Sequence, residues 1–173
     1  IALISLSYDI PNQIRRSKPT SDLEVLRQRI IDDLLEPSVN EQKIERLIQS
    51  IQADGSWPGI NYKDTSRTGF QHSIHLENML DLARAYKKQG TRFYQNAEVK
   101  KTVSSALDFW IAHDFICENW WWNEMGTPNW MINTLLVLDD DLTEVERTAG
   151  TRIASRASLT GFGARAGGDF VPI

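Results

Sequence analysis

The chain has 173 residues, 41% hydrophobic and 24% charged, which fits one globular domain with a sizeable core. Its net charge of −4 excludes a general attraction to nucleic acid or acidic lipid, and no apolar run approaches the roughly 20 residues of a membrane helix. Cys117 is the only cysteine, which excludes a disulfide within these residues and removes the usual ligands of a metal cluster.

The first third of the chain predicts two helices after a polar lead-in over residues 11–19. Ser21, with Glu24 three residues later, forms a capping box that starts the first helix, and Pro37 lies just beyond its end. Asn40 is the predicted cap of the second helix, which ends near residues 54–55. Apolar residues recur at helical spacing in both: Leu23, Leu26, Ile30 and Leu34, then Ile44, Leu47, Ile48 and Ile51.

Four further helices follow a turn-rich loop over residues 54–70. The spacing predicts a third helix from about Gln71 to residue 90 and a fourth over residues 96–114. Pro128 suits the first turn of a fifth helix, and a second capping box at Thr143 opens a sixth that runs to about Ala157. No segment alternates cleanly with a period of two, so we predict an all-α fold of paired helices.

Residues 119–128 read Asn-Trp-Trp-Trp-Asn-Glu-Met-Gly-Thr-Pro and are predicted to form a loop ahead of the fifth helix. Three consecutive tryptophans cannot all face one core, so at least one indole must be presented elsewhere. An indole face rimmed by amides suits a sugar ring, whose C–H face stacks while its hydroxyls bond the rim. The alternative is that all three indoles pack in the core, as indoles usually do. In the first case, a groove collects Trp57, Tyr62 and the triplet.

The same stretch resembles polysaccharide lyase family eight, which contains the chondroitin AC, hyaluronate and xanthan lyases. The resemblance covers about residues 54–169, and its most specific part is the Asn-Trp-Trp run. The matching residues are Asn119, Trp120, Trp121, Glu124, Met125, Gly126, Thr127, Pro128 and Asn133, with Asp54, Gly55, Ser56, Trp57, Tyr62, His75 and Leu76 upstream.

This resemblance implies an incomplete (α/α) toroid of helical hairpins. It implies that residues 1–173 are a single N-terminal helical domain of a longer lyase, with further helical and β domains downstream. The implied enzyme is secreted or periplasmic and cuts uronic-acid polysaccharides of the chondroitin or hyaluronan type by β-elimination. A donor offsets charge on the uronate carboxylate, a base removes the C5 proton, and the glycosidic oxygen leaves from C4.

Site residues follow from the same resemblance. Trp120 and Trp121 are expected to stack sugars, with Asn119 and Trp57 as further substrate-binding residues, while Trp122 packs inward. Arg165 stands where the family has a carboxylate-neutralising Asn, and is the one catalytic candidate. It could instead bind sulfate or pair with Asp169. The family's other catalytic residues lie downstream, so we expect this stretch alone to be inactive.

The remaining polar clusters are given structural interpretations. His72 and His75 could be two metal ligands, but a loop-anchoring role is favoured because no third ligand adjoins them. The acidic run over residues 139–141 is interpreted as a solvated turn, since it lacks the spacing of a calcium loop. His113 with Asp114 is assigned to a helix end. Four arginines could form a basic strip: Arg147, Arg152, Arg156 and Arg165.

We expect a monomer whose partner is an acidic polysaccharide, with no nucleic acid, membrane, metal or cofactor. Two other functions stay open. One is a non-catalytic carbohydrate-binding helical module, and the other is a helical scaffold whose tryptophans are all buried.

Overall fold

Six α-helices account for most of residues 21–157, the range that the structure, a computed structural model, describes. Each helix is followed by a short connection, except that a 21-residue turn-rich segment separates the second from the third. The helices are α1 (Asp22–Leu35), α2 (Glu41–Ser50), α3 (His72–Lys87), α4 (Ala97–His113), α5 (Thr127–Leu138) and α6 (Glu144–Ala154). A π-helix, Trp122–Gly126, leads into α5, and a 3-10 helix, Asp139–Asp141, follows it. Residues 21–157 contain no strand, and the all-α prediction is confirmed.

Helix starts carry capping side chains at the predicted residues Asn40 and Thr143, and also at Asn96, which was not predicted as a cap. Asn40 and Asn96 accept hydrogen bonds from the first free backbone N–H groups of α2 and α4. Thr143 opens α6 with a complete capping box. At α1 the box is only half formed, because Ser21 accepts from the Glu24 N–H at 3.3 Å while the Glu24 carboxylate bonds Arg27 at 3.0 Å.

The core lies where α3, α4 and α5 meet, and α6 covers α5. Leu76 and Met79 of α3, Leu107 and Trp110 of α4 and Met131 of α5 are fully buried. Each such side chain contributes roughly 1.5–3 kcal/mol through the apolar surface it removes from water. The consecutive pairs α3–α4 and α5–α6 pack as the hairpins that the apolar spacing predicts, whereas α1 packs against α5 rather than against α2, and α3 also packs on α5.

The segment between α2 and α3 is pinned against α4 by a glycine. Gly55 has a φ of +91°, and a Cβ there would lie 2.1 Å from the backbone oxygen of Ser105. Only glycine combines this φ with so close an approach of two backbones. The aromatic residues of this segment are consequently held against α3 and α4.

The acidic turn after α5 is ion-paired rather than simply solvated, which corrects the prediction. Asp141 accepts from the Lys87 ammonium at 2.6 Å and from the Tyr86 hydroxyl at 2.9 Å. Asp139 pairs with Arg27 of α1 and with Arg147 of α6. The turn thus joins α1, α3 and α6, a role that the spacing of three aspartates in sequence does not show.

Candidate functional site

The tryptophan segment is helical, not the loop that the sequence predicts. Helical backbone begins at Trp120, passes through the π-helix Trp122–Gly126 and continues as α5. The Thr127 N–H bonds the Trp122 carbonyl, a spacing of five residues. Pro128 has no N–H to give to the carbonyl four residues earlier, so a wider turn is suited to this position. A prediction that starts the helix at the proline therefore misses about two helical turns before it.

The three indoles have different surroundings. Trp121 is 41% exposed and is the most accessible of the three, while Trp120 is half-buried. Trp122 packs against the hydrophobic core, as predicted. The rings of Trp121 and Trp122 meet edge to face with centroids 4.9 Å apart, an arrangement that aromatic pairs favour. The prediction that at least one indole is presented away from the core is confirmed.

Gly126 provides the space into which two of these rings fit. A Cβ on Gly126 would lie 2.4 Å from Cε3 of Trp122 and 2.7 Å from Cζ3 of Trp121. Both distances are far shorter than van der Waals contact. The glycine therefore sets how deeply both indoles seat on the helix.

Two amide side chains hold the start of this helix. Asn119 caps it, because its Oδ1 accepts from the Trp121 N–H at 3.1 Å while its Nδ2 donates to the Arg67 carbonyl at 3.1 Å. Asn123 clasps Cys117 with two bonds, accepting from its N–H at 3.1 Å and donating to its carbonyl at 2.7 Å. Asn119, which the sequence predicts to contact sugar, thus anchors the start of this helix.

An aromatic layer supports the segment from below. Trp122 lies 5.3 Å from Phe70, which stacks on His72 at 4.5 Å, and His72 contacts Phe115 at 4.6 Å. These centroid distances are all within the range of favourable ring contacts. The exposed Trp121 is accordingly backed by a continuous, rigid aromatic stack.

Trp57 does not lie with the triplet. It is 3% exposed, and its indole N–H donates to the Leu47 carbonyl at 3.1 Å, so neither its face nor its polar edge is open to a ligand. The expectation that Trp57 binds substrate is not supported by this burial. Tyr62, placed in the same expected groove, instead stacks on Phe115 and contacts His75.

A buried hydrogen-bond chain runs through Tyr62 and His75. The Tyr62 hydroxyl accepts a hydrogen bond from the backbone N–H of Trp57 at 3.1 Å, and it lies 2.9 Å from Nδ1 of His75. Nε2 of His75 lies 3.0 Å from the Ala106 carbonyl, so Nε2 donates and Nδ1 accepts the Tyr62 proton. Burial lowers the pKa of His75 to about 4 and raises the pKa of Tyr62 to about 12. Both groups are therefore neutral near pH 7.

The histidines anchor the 54–70 segment, as the favoured interpretation has it. His72 is buried, and its Nε2 donates to the Tyr62 carbonyl at 2.9 Å. Burial also lowers the pKa of His72. Within residues 21–157, no three His, Cys, Asp or Glu side chains are grouped so that they could hold a metal ion.

Other predicted residues divide as follows. His113 bonds the Phe109 carbonyl at 2.8 Å and ends α4, as expected. Arg156 is engaged with Asp114 at 2.7 Å, so it is committed within the chain rather than to a basic strip. Arg165 lies outside the described residues.

None of the helices over residues 21–157 has the length and apolarity needed to cross a membrane.

Gly126 and Asn123 are functional candidates that sequence reasoning missed. The sequence signal was present in both cases, as a glycine inside what proves to be helix and an amide following the indoles. Neither could be interpreted while the segment was taken to be a loop.

Comparison with known proteins agrees with this geometry. The family model described as polysaccharide lyase family 8, N terminal alpha-helical domain, matches residues 27–158. Chondroitinase-AC of Pedobacter heparinus is 29% identical over 123 residues, which are 70% of this chain and 18% of that protein. The chain therefore spans less than a fifth of that curated relative.

Two solved structures share the fold. A chondroitinase AC lyase, studied as enzyme–oligosaccharide complexes, superposes with a TM-score of 0.74 at 27% identity, covering 80% of this chain and 21% of the other. A Paenibacillus xanthan lyase gives 0.56 at 16% identity, covering 79% and 15% respectively, and supports the fold alone.

Proposed function

Because the chain belongs to the N-terminal alpha-helical domain family of polysaccharide lyase family 8, we propose that it is the N-terminal part of a polysaccharide lyase. The parent enzyme would be secreted or periplasmic and would cleave uronic-acid polysaccharides of the chondroitin or hyaluronan type by β-elimination. In it, residues 1–173 form one domain that binds and orients the polymer. The similarity to chondroitinase AC supports the substrate class.

The observation that carries this proposal is the exposure of Trp121 on a rigid base. An exposed indole normally costs free energy, because apolar surface stays in contact with water. Trp121 is exposed in spite of this cost, while its ring packs against Trp122 and its backbone N–H is capped by Asn119. A pyranose ring stacked on Trp121 would cover that surface, and the half-buried Trp120 would extend the contact along the polymer.

The described residues contribute binding rather than bond cleavage. The half-buried Tyr62 and the buried His75 direct their polar atoms to partners within the fold, so neither is offered to a substrate. The chemistry of proton removal at C5 is therefore assigned to groups outside residues 21–157. Arg165 is the candidate within this chain for offsetting the uronate charge.

The proposal is tested by replacing the indoles in the parent lyase and in this chain. Trp121→Ala should weaken binding of chondroitin and hyaluronan oligosaccharides by roughly 5- to 30-fold, the equivalent of about 1–2 kcal/mol of lost stacking and apolar contact. Trp120→Ala should weaken it in the same direction. Binding is measured by calorimetry, and cleavage by the appearance of unsaturated uronate ends.

Tyr94→Ala is the matched control, since Tyr94 is a comparably exposed aromatic, 38% accessible, in the connection at the far end of α3 and α4. It should bind like the wild type. Equal affinity of Trp121→Ala and wild type would refute the stacking role. Polymer binding with no cleavage by the parent would favour the alternative, a non-catalytic carbohydrate-binding module.

A further inference from the structure

The loop at residues 63–69 is docked onto the tryptophan segment by two hydrogen bonds. The Glu118 N–H donates to the Thr65 carbonyl at 2.8 Å, and Asn119 donates to the Arg67 carbonyl at 3.1 Å. Because the same Asn119 amide accepts from the Trp121 N–H, Arg67 and Trp121 lie on either side of one small planar group. The backbones of Arg67 and Trp121, the residue with the exposed indole, are thus bridged by the Asn119 side chain.

The Arg67 guanidinium has no carboxylate partner among residues 21–157. Its residue is exposed, whereas five other arginines in that range form ion pairs with carboxylates. The acid nearest in its own loop, Asp64, instead accepts from the Ser66 N–H at 3.0 Å. A hydrogen bond from the Ser66 hydroxyl, followed by this one from the Ser66 N–H, lowers the pKa of Asp64, so its carboxylate stays charged in its own turn.

We infer that Arg67 binds the carboxylate of an acidic sugar in the polymer that stacks on Trp121. The inference rests on the proposed function and gives that surface its preference for acidic over neutral polymers. A planar guanidinium can hold a carboxylate or sulfate with two parallel N–H donors, while the adjoining indole takes the ring face. The contact is local, because Glu118 is exposed nearby and the chain carries a net charge of −4.

The test compares a hyaluronan oligosaccharide with the same oligosaccharide after its carboxylates are reduced to alcohols. Arg67→Ala should lower the affinity of the full chain for the acidic form by roughly three- to tenfold, as expected for one exposed charge-assisted contact. Its affinity for the reduced form should equal that of the wild type. Arg67→Lys should recover only part of the loss, since a lysine offers no paired donors.

Arg29→Ala is the matched control, because Arg29 is also exposed and without an ion pair among residues 21–157, but lies in α1. It should change neither affinity. If the wild type binds both forms and Arg67→Ala loses nothing, or loses both equally, the role of Arg67 is refuted and Trp121 stacking survives. If the wild type binds neither form, the proposed function and the role of Arg67 fail together.

Discussion

A single methyl group at Gly126 should displace the proposed sugar-stacking surface. Gly126 has φ −62° and ψ −59°, which alanine adopts readily, so helix propensity alone predicts that Gly126→Ala stabilises the chain by about 1 kcal/mol. The structure predicts the opposite. The added Cβ would lie 2.4 Å from Trp122 and 2.7 Å from Trp121, and in each case the clashing atom belongs to a rigid ring.

Relief of this clash requires both indoles to rotate or the helix to shift. Overpacking of this kind costs about 1–3 kcal/mol. Over most of that range, the cost exceeds the gain of about 1 kcal/mol from helix propensity. We therefore expect Gly126→Ala to lower the free energy of unfolding in urea by up to about 2 kcal/mol. Oligosaccharide affinity should fall as far as it does for Trp121→Ala, because the ring no longer presents the same face.

Gly150→Ala separates loss of stability from loss of the binding surface. Its Cβ would lie 2.8 Å from Cδ2 of Leu135, the far end of a flexible side chain at the packing of α5 on α6. This variant should keep wild-type affinity whatever its stability. A Gly126→Ala protein that is more stable than wild type and binds equally well would refute the reasoning.

Two further predictions concern the scaffold. Because burial lowers the pKa of His75 to about 4, the unfolded chain takes up the proton first, so its contribution to stability is complete above about pH 6.5 and is lost as the pH falls towards 4. Urea unfolding between pH 7 and 4 should show a loss on the order of 3 kcal/mol from this group, and an imidazole that titrates near pH 6.5 by NMR would contradict it. Asp141→Asn should cost about 1 kcal/mol, since it weakens half-exposed contacts with Lys87 and Tyr86. The neighbouring exposed Asp140→Asn should cost nothing measurable, and equal stability of the two variants would argue against the role of the turn.

Local signals were sufficient for most helix boundaries. Asn40 and Thr143 accept the cap bonds expected of them, and Asn96 accepts such bonds without having been predicted as a cap, because a capping side chain and the N–H groups it serves lie within three residues. Two outcomes departed from the local signals. Glu24 bonds Arg27, three residues later in the same helix, instead of completing its box, and the acidic turn gained cationic partners from other helices.

The site was predictable in kind but not in placement. Exposure of an indole follows from three adjacent tryptophans on any backbone, whereas Trp57 could be assigned to core or surface only by its neighbours. Its indole N–H is satisfied by Leu47, ten residues away, so it is buried without penalty. The bridge between the backbones of Arg67 and Trp121 likewise depends on Asn119, 52 positions along the chain.

By itself, the sequence determined the number of helices in residues 21–157, the family and the presence of an outward-facing indole, because periodicity, capping and a compact motif act over a few residues. Only the tertiary structure decided that α3 and α1 pack against α5, that the tryptophans continue a helix over Gly126, that Trp57 is core, and that Asn119 bridges the backbones of Arg67 and Trp121. Those outcomes depend on steric fit and hydrogen bonds between segments distant in sequence, which no local pattern encodes.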